Sequence, residues 1–428
     1  MAIADLISHG DLAINDGYRA KNSELSTHGL PFARAQNIND GFKFGEPDRF
    51  PEENLSRVAG KVSLPGDVVF TSKGTVGRFA LVRDKTPRFV YSPQLCYWRS
   101  LNRERIDPRW LFYWMQSREF RVQYSGVAGQ TDMADYVSLT DQRRMHITLP
   151  SLAQQRAIAH ILGTLDDKIE LNRRMNETLE AIARALFKSW FVDFDPVRAK
   201  AEGRDPGLSA YLADLFPDSF EDSELGEVPE GWKVSPLPDV IEVNPTRSLR
   251  RGEIAPYLDM ANMPTHGHSP DAVIEREFGS GMRFTNGDTL VARITPCLEN
   301  GKTAYVDFLQ DGQVGWGSTE YIVLRPKPPL PEEFAYCLAR SNEFRDFAIQ
   351  SMTGSSGRQR VPAESLSHYR VASAPEPVAD QFGTLVRPLL ARASAAAVQS
   401  RTLATLRDTM LPKLISGELR IKNGATAI

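Results

Sequence analysis

Three cysteines in 428 residues, Cys96, Cys297 and Cys337, stand far apart with no C-x-x-C pair. The chain therefore encodes neither a disulfide framework nor a zinc ribbon, which suits a reducing compartment. Long hydrophobic runs are missing too. Nothing approaches the roughly 18 apolar residues of a membrane span, and Met1 to Gly10 has no basic stretch leading into an apolar one. A cytoplasmic location and no membrane partner are expected.

Catalytic motifs are equally scarce. No G-x-x-x-x-G-K-[ST] occurs, and the closest stretch, Gly226 to Lys233, has Trp232 where the lysine belongs. Asn244-Pro245 is followed by Thr246 and Arg247, not by the second proline and aromatic residue that grip a flipped adenine. Pro47-Asp48 and Pro217-Asp218 lack the Glu-x-Lys that would complete a metal-dependent nuclease site. Gly354-Ser355-Ser356-Gly357 is one residue short of a nucleophile elbow. His266 and His268 sit in a Gly/Pro-rich stretch without nearby cysteines or a carboxylate cluster, so a solvated loop is expected there, not a metal site. The expectation is a chain with no catalytic residue, no metal and no cofactor of its own.

What is present is length, a skewed charge distribution and a repeat. At 428 residues, with 41% hydrophobic and 25% charged residues, the chain exceeds one ordinary core and has a globular composition. Its net charge of −3 argues weakly against nucleic acid. However, eight acidic residues and no Lys or Arg lie between Asp205 and Trp232, and setting those charges aside turns −3 into +5. A basic face elsewhere is thus permitted.

The repeat appears at half length. LPFARAQNI at Leu30 aligns with APYLDMANM at Ala255, placing Pro31 on Pro256 at an offset of 225. PGDVVF at Pro65 meets NGDTLV at Asn286, and TVGRFALV at Thr75 meets ENGKTAYV at Glu299. SREFR at Ser117 meets SNEFR at Ser341, displaced by 224. Each copy reads as short strands and turns with helical segments, an α+β globule, and each ends in a long helix. The first helix opens at Ser151 and has a heptad seam of Ile158, Leu162, Leu165, Ile169, Asn172, Asn176, Leu179, Ala183, Leu186 and Trp190. The second, from about Val378, repeats it with Phe382, Val386, Leu389, Ala393, Ala396, Ser400, Leu403, Met410 and Leu414. Pro388 interrupts that seam, so a kink or a late start is expected. A helix of about 40 residues is roughly 60 Å long, a spacer and not a core element.

The segment AQQRAIAHILGTLDDKIELNRRMNETLEAIARALFKSWFVDFDPVRAKAEG, Ala153 to Gly203, resembles the central conserved region of specificity subunits of type I restriction-modification enzymes. LPKLISGEL, from Leu411, resembles the end of that family's second conserved region, and LGEVPEGWKVSPL, from Leu225, the start of its second recognition domain. The first copy departs from the pattern, with Ile7 and Leu12 where the second has Trp232 and Leu237. The resemblance implies two tandem α+β target-recognition domains (1–150 and 231–375), each followed by a long conserved helix (151–193 and 376–417), with an acidic linker (194–230) and a tail (418–428). The two helices would pack as an antiparallel coiled-coil spacer. It also implies double-stranded DNA with a bipartite target as ligand. The implied partners are two methyltransferase subunits on the helices and restriction, or motor-nuclease, subunits for cleavage. S-adenosylmethionine, ATP and Mg²⁺ would be used by those partners and not by this chain.

On that reading two loops per copy would meet DNA, the half-sites lying about 10 bp apart centre to centre. In the first copy they supply Ser72, Lys73, Thr75 and Arg78, then Gln130 and Thr131. In the second they supply Arg293 and Lys302, then Ser355, Ser356, Arg358, Gln359 and Arg360. Arg, Lys and Gln are the side-chain types that read base edges, while Ser and Thr hold phosphates. Two other readings stay open: a coiled-coil adaptor that binds only protein, and the specificity component of an orphan or phage-defence methyltransferase without a nuclease.

Overall fold

A computed structural model describes residues 1–39, 41–46, 48–127, 136–355 and 357–421. The chain divides into two compact units, Met1–Ile169 with Thr402–Ile428, and Glu170–Arg401. Each unit thus contains one globule together with parts of both long helices.

The first unit begins with α1 (Ile3–Ser8) and continues through β1 (Leu12–Asp16), β2 (Leu30–Ala33), β3 (Arg49–Phe50), β4 (Val68–Thr71), β5 (Phe79–Leu81), β6 (Val90–Tyr91) and β7 (Leu95–Ser100). One sheet is antiparallel in the order β1-β7-β4-β5. In the other, β2 pairs antiparallel with β3 and parallel with β6. All four residues of β4 are buried because both its faces are covered. Val68 and Phe70 pack with Trp98, Trp110 and Trp114, whereas Val69 packs with Ala33, Tyr91 and Tyr97, the period of two that a pleated strand imposes. Helices α2 (Pro108–Met115), α3 (Arg118–Ser125) and α4 (Leu139–Arg144) precede the long α5 (Leu152–Phe191).

The second unit follows the same plan after an added segment. The acidic stretch carries α6 (Asp195–Ala201), α7 (Ala210–Ala213) and a hairpin of β8 (Phe220–Ser223) and β9 (Gly226–Pro229), and it buries Phe216 and Val228 in the unit's core. Then come β10 (Lys233–Pro236), α8 (Leu237–Val240), β11 (Ile241–Val243), β12 (Ile254–Leu258), β13 (Ile274–Glu277), β14 (Met282–Phe284), β15 (Thr289–Ala292), β16 (Thr303–Tyr305), β17 (Gly315–Gly317) and β18 (Tyr321–Pro326). The sheets run β11-β18-β15-β16 and β13-β12-β17-β14, with β12 parallel to β17 as β2 is to β6. Helices α9 (Glu333–Ala339) and α10 (Asn342–Gln350), strand β19 (Arg370–Ser373) and the long α11 (Glu376–Ser416) complete it.

The repeated residues explain the repeated fold. Ser117 and Ser341 cap α3 and α10, each accepting a hydrogen bond from the backbone N–H of the phenylalanine three residues on, and Phe120 and Phe344 are buried. In both Gly-Asp turns the glycine takes a positive φ, +94° at Gly66 and +87° at Gly287, which favours a residue without Cβ. The following aspartate is fully buried. Asp67 accepts from Leu64 N and binds Arg99 at 2.6 and 2.7 Å. Asp288 accepts from Thr285 N, Arg247 and Arg325. Burial pushes the Asp288 carboxyl above the usual range, against the opposing pull of Thr285 N and the two guanidiniums.

Both long helices form, and in both units they run antiparallel. In the second unit Asn172 meets Ala396, Gln399 and Ser400 while Phe187 and Phe191 meet Phe382. In the first, Asp166 binds Arg407, and Leu162 shares a core with Leu411 and Leu414. Of the expected seam, Ile158, Leu162, Asn172, Ala183 and Trp190 are buried, as are Phe382, Val386, Ala393, Ala396 and Leu414. Leu165, Ile169, Asn176, Leu179, Leu186, Leu389, Leu403 and Met410 are half-buried. Pro388 neither delays nor divides α11, which begins twelve residues earlier at Glu376 and leaves the proline exposed.

Candidate nucleic-acid interface

In each globule three segments converge at one edge of the sheet that holds β4 and β7, or β15 and β18: the loop after β4 or β15, the turn before β7 or β18, and the chain returning after a helix. In the first copy Ser72 N donates to Gln94 O (3.1 Å), Val137 N donates to Ser72 O (2.9 Å), and Lys73 bridges Tyr136. In the second, Arg293 N donates to Glu320 O (3.0 Å), Val361 N to Arg293 O (2.9 Å), and Ile294 bridges Arg360. The backbone pattern is the same, so Ser72, Lys73, Gln94 and Tyr136 correspond to Arg293, Ile294, Glu320 and Arg360. The two loops proposed from the sequence are therefore neighbours within each globule.

The individual side chains divide into two groups. Lys73 and Thr75 are exposed, while Arg78 is half-buried, its backbone N–H bound to Thr71 Oγ1 at 2.9 Å. Ser72 is sealed inside at 1% exposure and its Oγ accepts from Cys96 Sγ at 3.0 Å, so its hydroxyl faces the core and not a ligand. Lys302 is likewise engaged inward, its ammonium donating to the carbonyls of Met260 and Ala261. Ser355 and Arg358 are exposed; Gln359 and Arg360 are half-buried. Gln130, Thr131 and Ser356 lie outside the described residues. Thr353 and Arg360 exchange backbone hydrogen bonds of 2.9 Å, closing the 353–360 loop at its base. Across that base Arg360 Nε donates to both Glu320 oxygens at 2.8 and 3.0 Å, and Arg293 Nε lies 3.8 Å from the same carboxylate.

Sequence reasoning missed Gln94, Glu320 and Tyr136. The signal was available in the repeat, since SPQLCYW at Ser92 and STEYIVL at Ser318 each lead into the central strand. An acid beside a solvent-facing edge had no place in a search for donors.

A second cluster corrects the expectation for His268. Its loop is not solvated around it: the ring is 1% exposed. Nδ1 lies 2.9 Å from Glu180 Oε1 on α5, and Nε2 lies 2.7 Å from Ser394 Oγ on α11 and 3.4 Å from Asp307. Tyr336 donates to the other Glu180 oxygen at 2.9 Å. Burial alone would lower the imidazole's pKa, but hydrogen bonds and charges from Asp307 and Glu180 overcome it and hold the group at about 9. Burial would raise Glu180, yet His268 and Tyr336 hold it below the usual carboxylate range. His266 is exposed. Among the described residues no group of three or more His, Cys, Asp or Glu could hold a metal, and no helix is long and apolar enough to cross a membrane.

Residues 10–181 match the family model for the type I restriction modification DNA specificity domain. The chain is 23% identical to the type I restriction enzyme HindI specificity subunit of Haemophilus influenzae, across 86% of this chain and 89% of that one. It is 24% identical to the MjaIX specificity subunit of Methanocaldococcus jannaschii, across 87% and 82% respectively. The crystal structure of a type I restriction-modification S subunit from M. genitalium superposes with a TM-score of 0.57 at 15% identity, covering 97% of this chain and 95% of that one, a likeness of fold.

Proposed function

We propose, from the premise that this chain belongs to the specificity subunits of type I restriction-modification enzymes, that its two globules each read one half of a bipartite double-stranded DNA target. The observation that carries this is the pair of equivalent edges. The backbone frame is the same in both globules, whereas the side chains on it have diverged from Ser72, Gln94 and Tyr136 to Arg293, Glu320 and Arg360. Equal frames bearing different side chains are what two independent readings of different base sequences require.

The chain itself would supply recognition and no chemistry. Lys73, Thr75, Arg358 and Arg360 are the residues that would meet DNA, with Arg78, Arg293, Gln359 and Ser355 beside them. Two methyltransferase subunits would dock on α5 and α11 and modify adenine with S-adenosylmethionine, and restriction subunits would cleave with ATP and Mg²⁺ in the cytoplasm. Sequencing modified adenines in a host with and without the gene tests the reading. One bipartite motif that vanishes with the gene is expected. Methyl transfer by the purified chain alone, or an unchanged pattern on deletion, would overturn it.

A further inference from the structure

We propose that Glu320 is a positioning residue that holds Arg360 so that its outer guanidinium edge reads a guanine in the half-site of the second globule. The inference rests on the DNA-reading role proposed above and adds to it which base is read and how the reading arginine is set.

An unsupported arginine at a loop is a poor reader, because its long side chain must be frozen at the moment of contact. Arg360 is held at both ends. Its backbone is pinned by the pair of hydrogen bonds with Thr353 and by the bridge to Ile294. Its side chain is pinned by Glu320, to which Nε donates at 2.8 and 3.0 Å. Glu320 is itself fixed, with its backbone N–H on Ser318 Oγ at 3.0 Å and its carbonyl accepting from Arg293 N at 3.0 Å. A carboxylate that grips a guanidinium through Nε turns the Nη1/Nη2 pair away from itself. That pair is the one that matches guanine O6 and N7. The other polar contact on that side is long, Nη1 to Arg358 O at 3.3 Å, and the side chain retains 42% exposure. The carboxylate is less exposed, at 24%.

Charge points the same way. Arg293 and Arg360 share the single Glu320 carboxylate, leaving one net positive charge where an electronegative base edge and a phosphate backbone approach. At the equivalent positions the first globule has Ser72, Lys73, Gln94 and Tyr136, a cation with no carboxylate among them. A guanine contact dependent on a carboxylate is therefore confined to the second half-site.

The test uses the full chain assembled with its methyltransferase subunits and duplexes in which the second half-site is randomised and the first held constant. Arg360→Ala should relax the preference for guanine at one position by about 5- to 150-fold, the range for one good bidentate contact. Glu320→Gln should relax the same position by a smaller factor, and the double variant should be no worse than Arg360→Ala, since the carboxylate acts through the arginine. Full discrimination at the first half-site in each variant shows that the complex is folded. If Arg360→Ala relaxes one base while Glu320→Gln leaves it untouched, or shifts a different base, the positioning role is overturned and the DNA-reading role stands. If Arg360→Ala weakens all sequences equally and flattens the salt dependence, Arg360 holds a phosphate and both readings of this residue fall.

Discussion

The two globules solve the same structural problem with the same residues and then differ where the solution ends. Asp67 with Arg99 and Asp288 with Arg325 lock the two Gly-Asp turns, and Ser117 and Ser341 cap the two helices that follow. At the edge, three segments meet through equivalent backbone hydrogen bonds but present Lys73 and no carboxylate in one globule and two arginines around a carboxylate in the other. Buried polar groups carry the frame, where a lost partner is expensive. The edge residues that do not hold the frame are free to change. The repeat is visible in sequence because the frame has to be kept, and the divergence lies at the edge.

The largest effects should come from breaking the frame. Asp67→Ala strands the mostly buried Arg99 guanidinium, and Asp288→Ala strands Arg247 and Arg325. Each should cost about 3–5 kcal/mol of unfolding free energy, followed by denaturant unfolding. Each should also abolish reading of its own half-site. A loss below about 1 kcal/mol in either would show that the turns do not carry the frame.

Alkaline pH should separate the two units. His268 has a pKa of about 9 in the folded chain against roughly 6.5 when unfolded, so the folded state binds more protons between those values. Its contribution is complete below pH of about 6.5 and is lost as pH rises through about 9. The first unit's corresponding ties, Tyr113 to Asp166 and Asp166 to Arg407, contain no histidine. Hydrogen exchange at rising pH, corrected for its intrinsic rate, should show protection around 264–270 falling while that around 108–115 holds. Equal loss in both would contradict the assignment.

A smaller contrast lies within one helix. Asn172 is fully buried and its amide reaches Gln399, Ser400 and the Ala396 carbonyl, so Asn172→Ala should cost about 1–3 kcal/mol. Asn176, like Asn172, buries an Oδ1 with no partner among the described residues. Asn176→Leu should therefore range from neutral to about 1 kcal/mol stabilising in thermal melts. A cost at Asn176 equal to that at Asn172 would show that both interrupt the seam for the same reason. Least of all, Lys73→Ala, on an exposed side chain, should weaken binding of every sequence alike and lower the salt slope by about one; relaxation at a single base would make it a reader instead.

Much of the frame could be read beforehand because it is local. Heptad spacing placed α5, and Ser-x-x-Phe and Gly-Asp marked capped helices and tight turns at matching offsets. Pro388 misled because a proline on an exposed helix face can be accommodated when packing on the opposite face is strong. The seam drifted toward Phe187 and Phe191, since a helix of 3.6 residues per turn does not keep a seven-residue period over 40 residues. His268 was invisible as a buried ion because its partners are 88 and 126 residues away. Ser72 and Lys302 had the right side-chain types and loops, but tertiary contacts turned them inward.

Modularity is the central claim, and a graft tests it most directly. The second globule of a relative with a different target would replace this one, joined in the exposed 203–205 stretch, ahead of the Phe216 and Val228 that pack into its core, and at the start of α11 near Pro375. Sequencing modified adenines in a host carrying the chimera should then show a motif in which one half is exchanged and the other kept unchanged. A motif altered in both halves would mean that the two globules act as a single reader, and the account would be wrong.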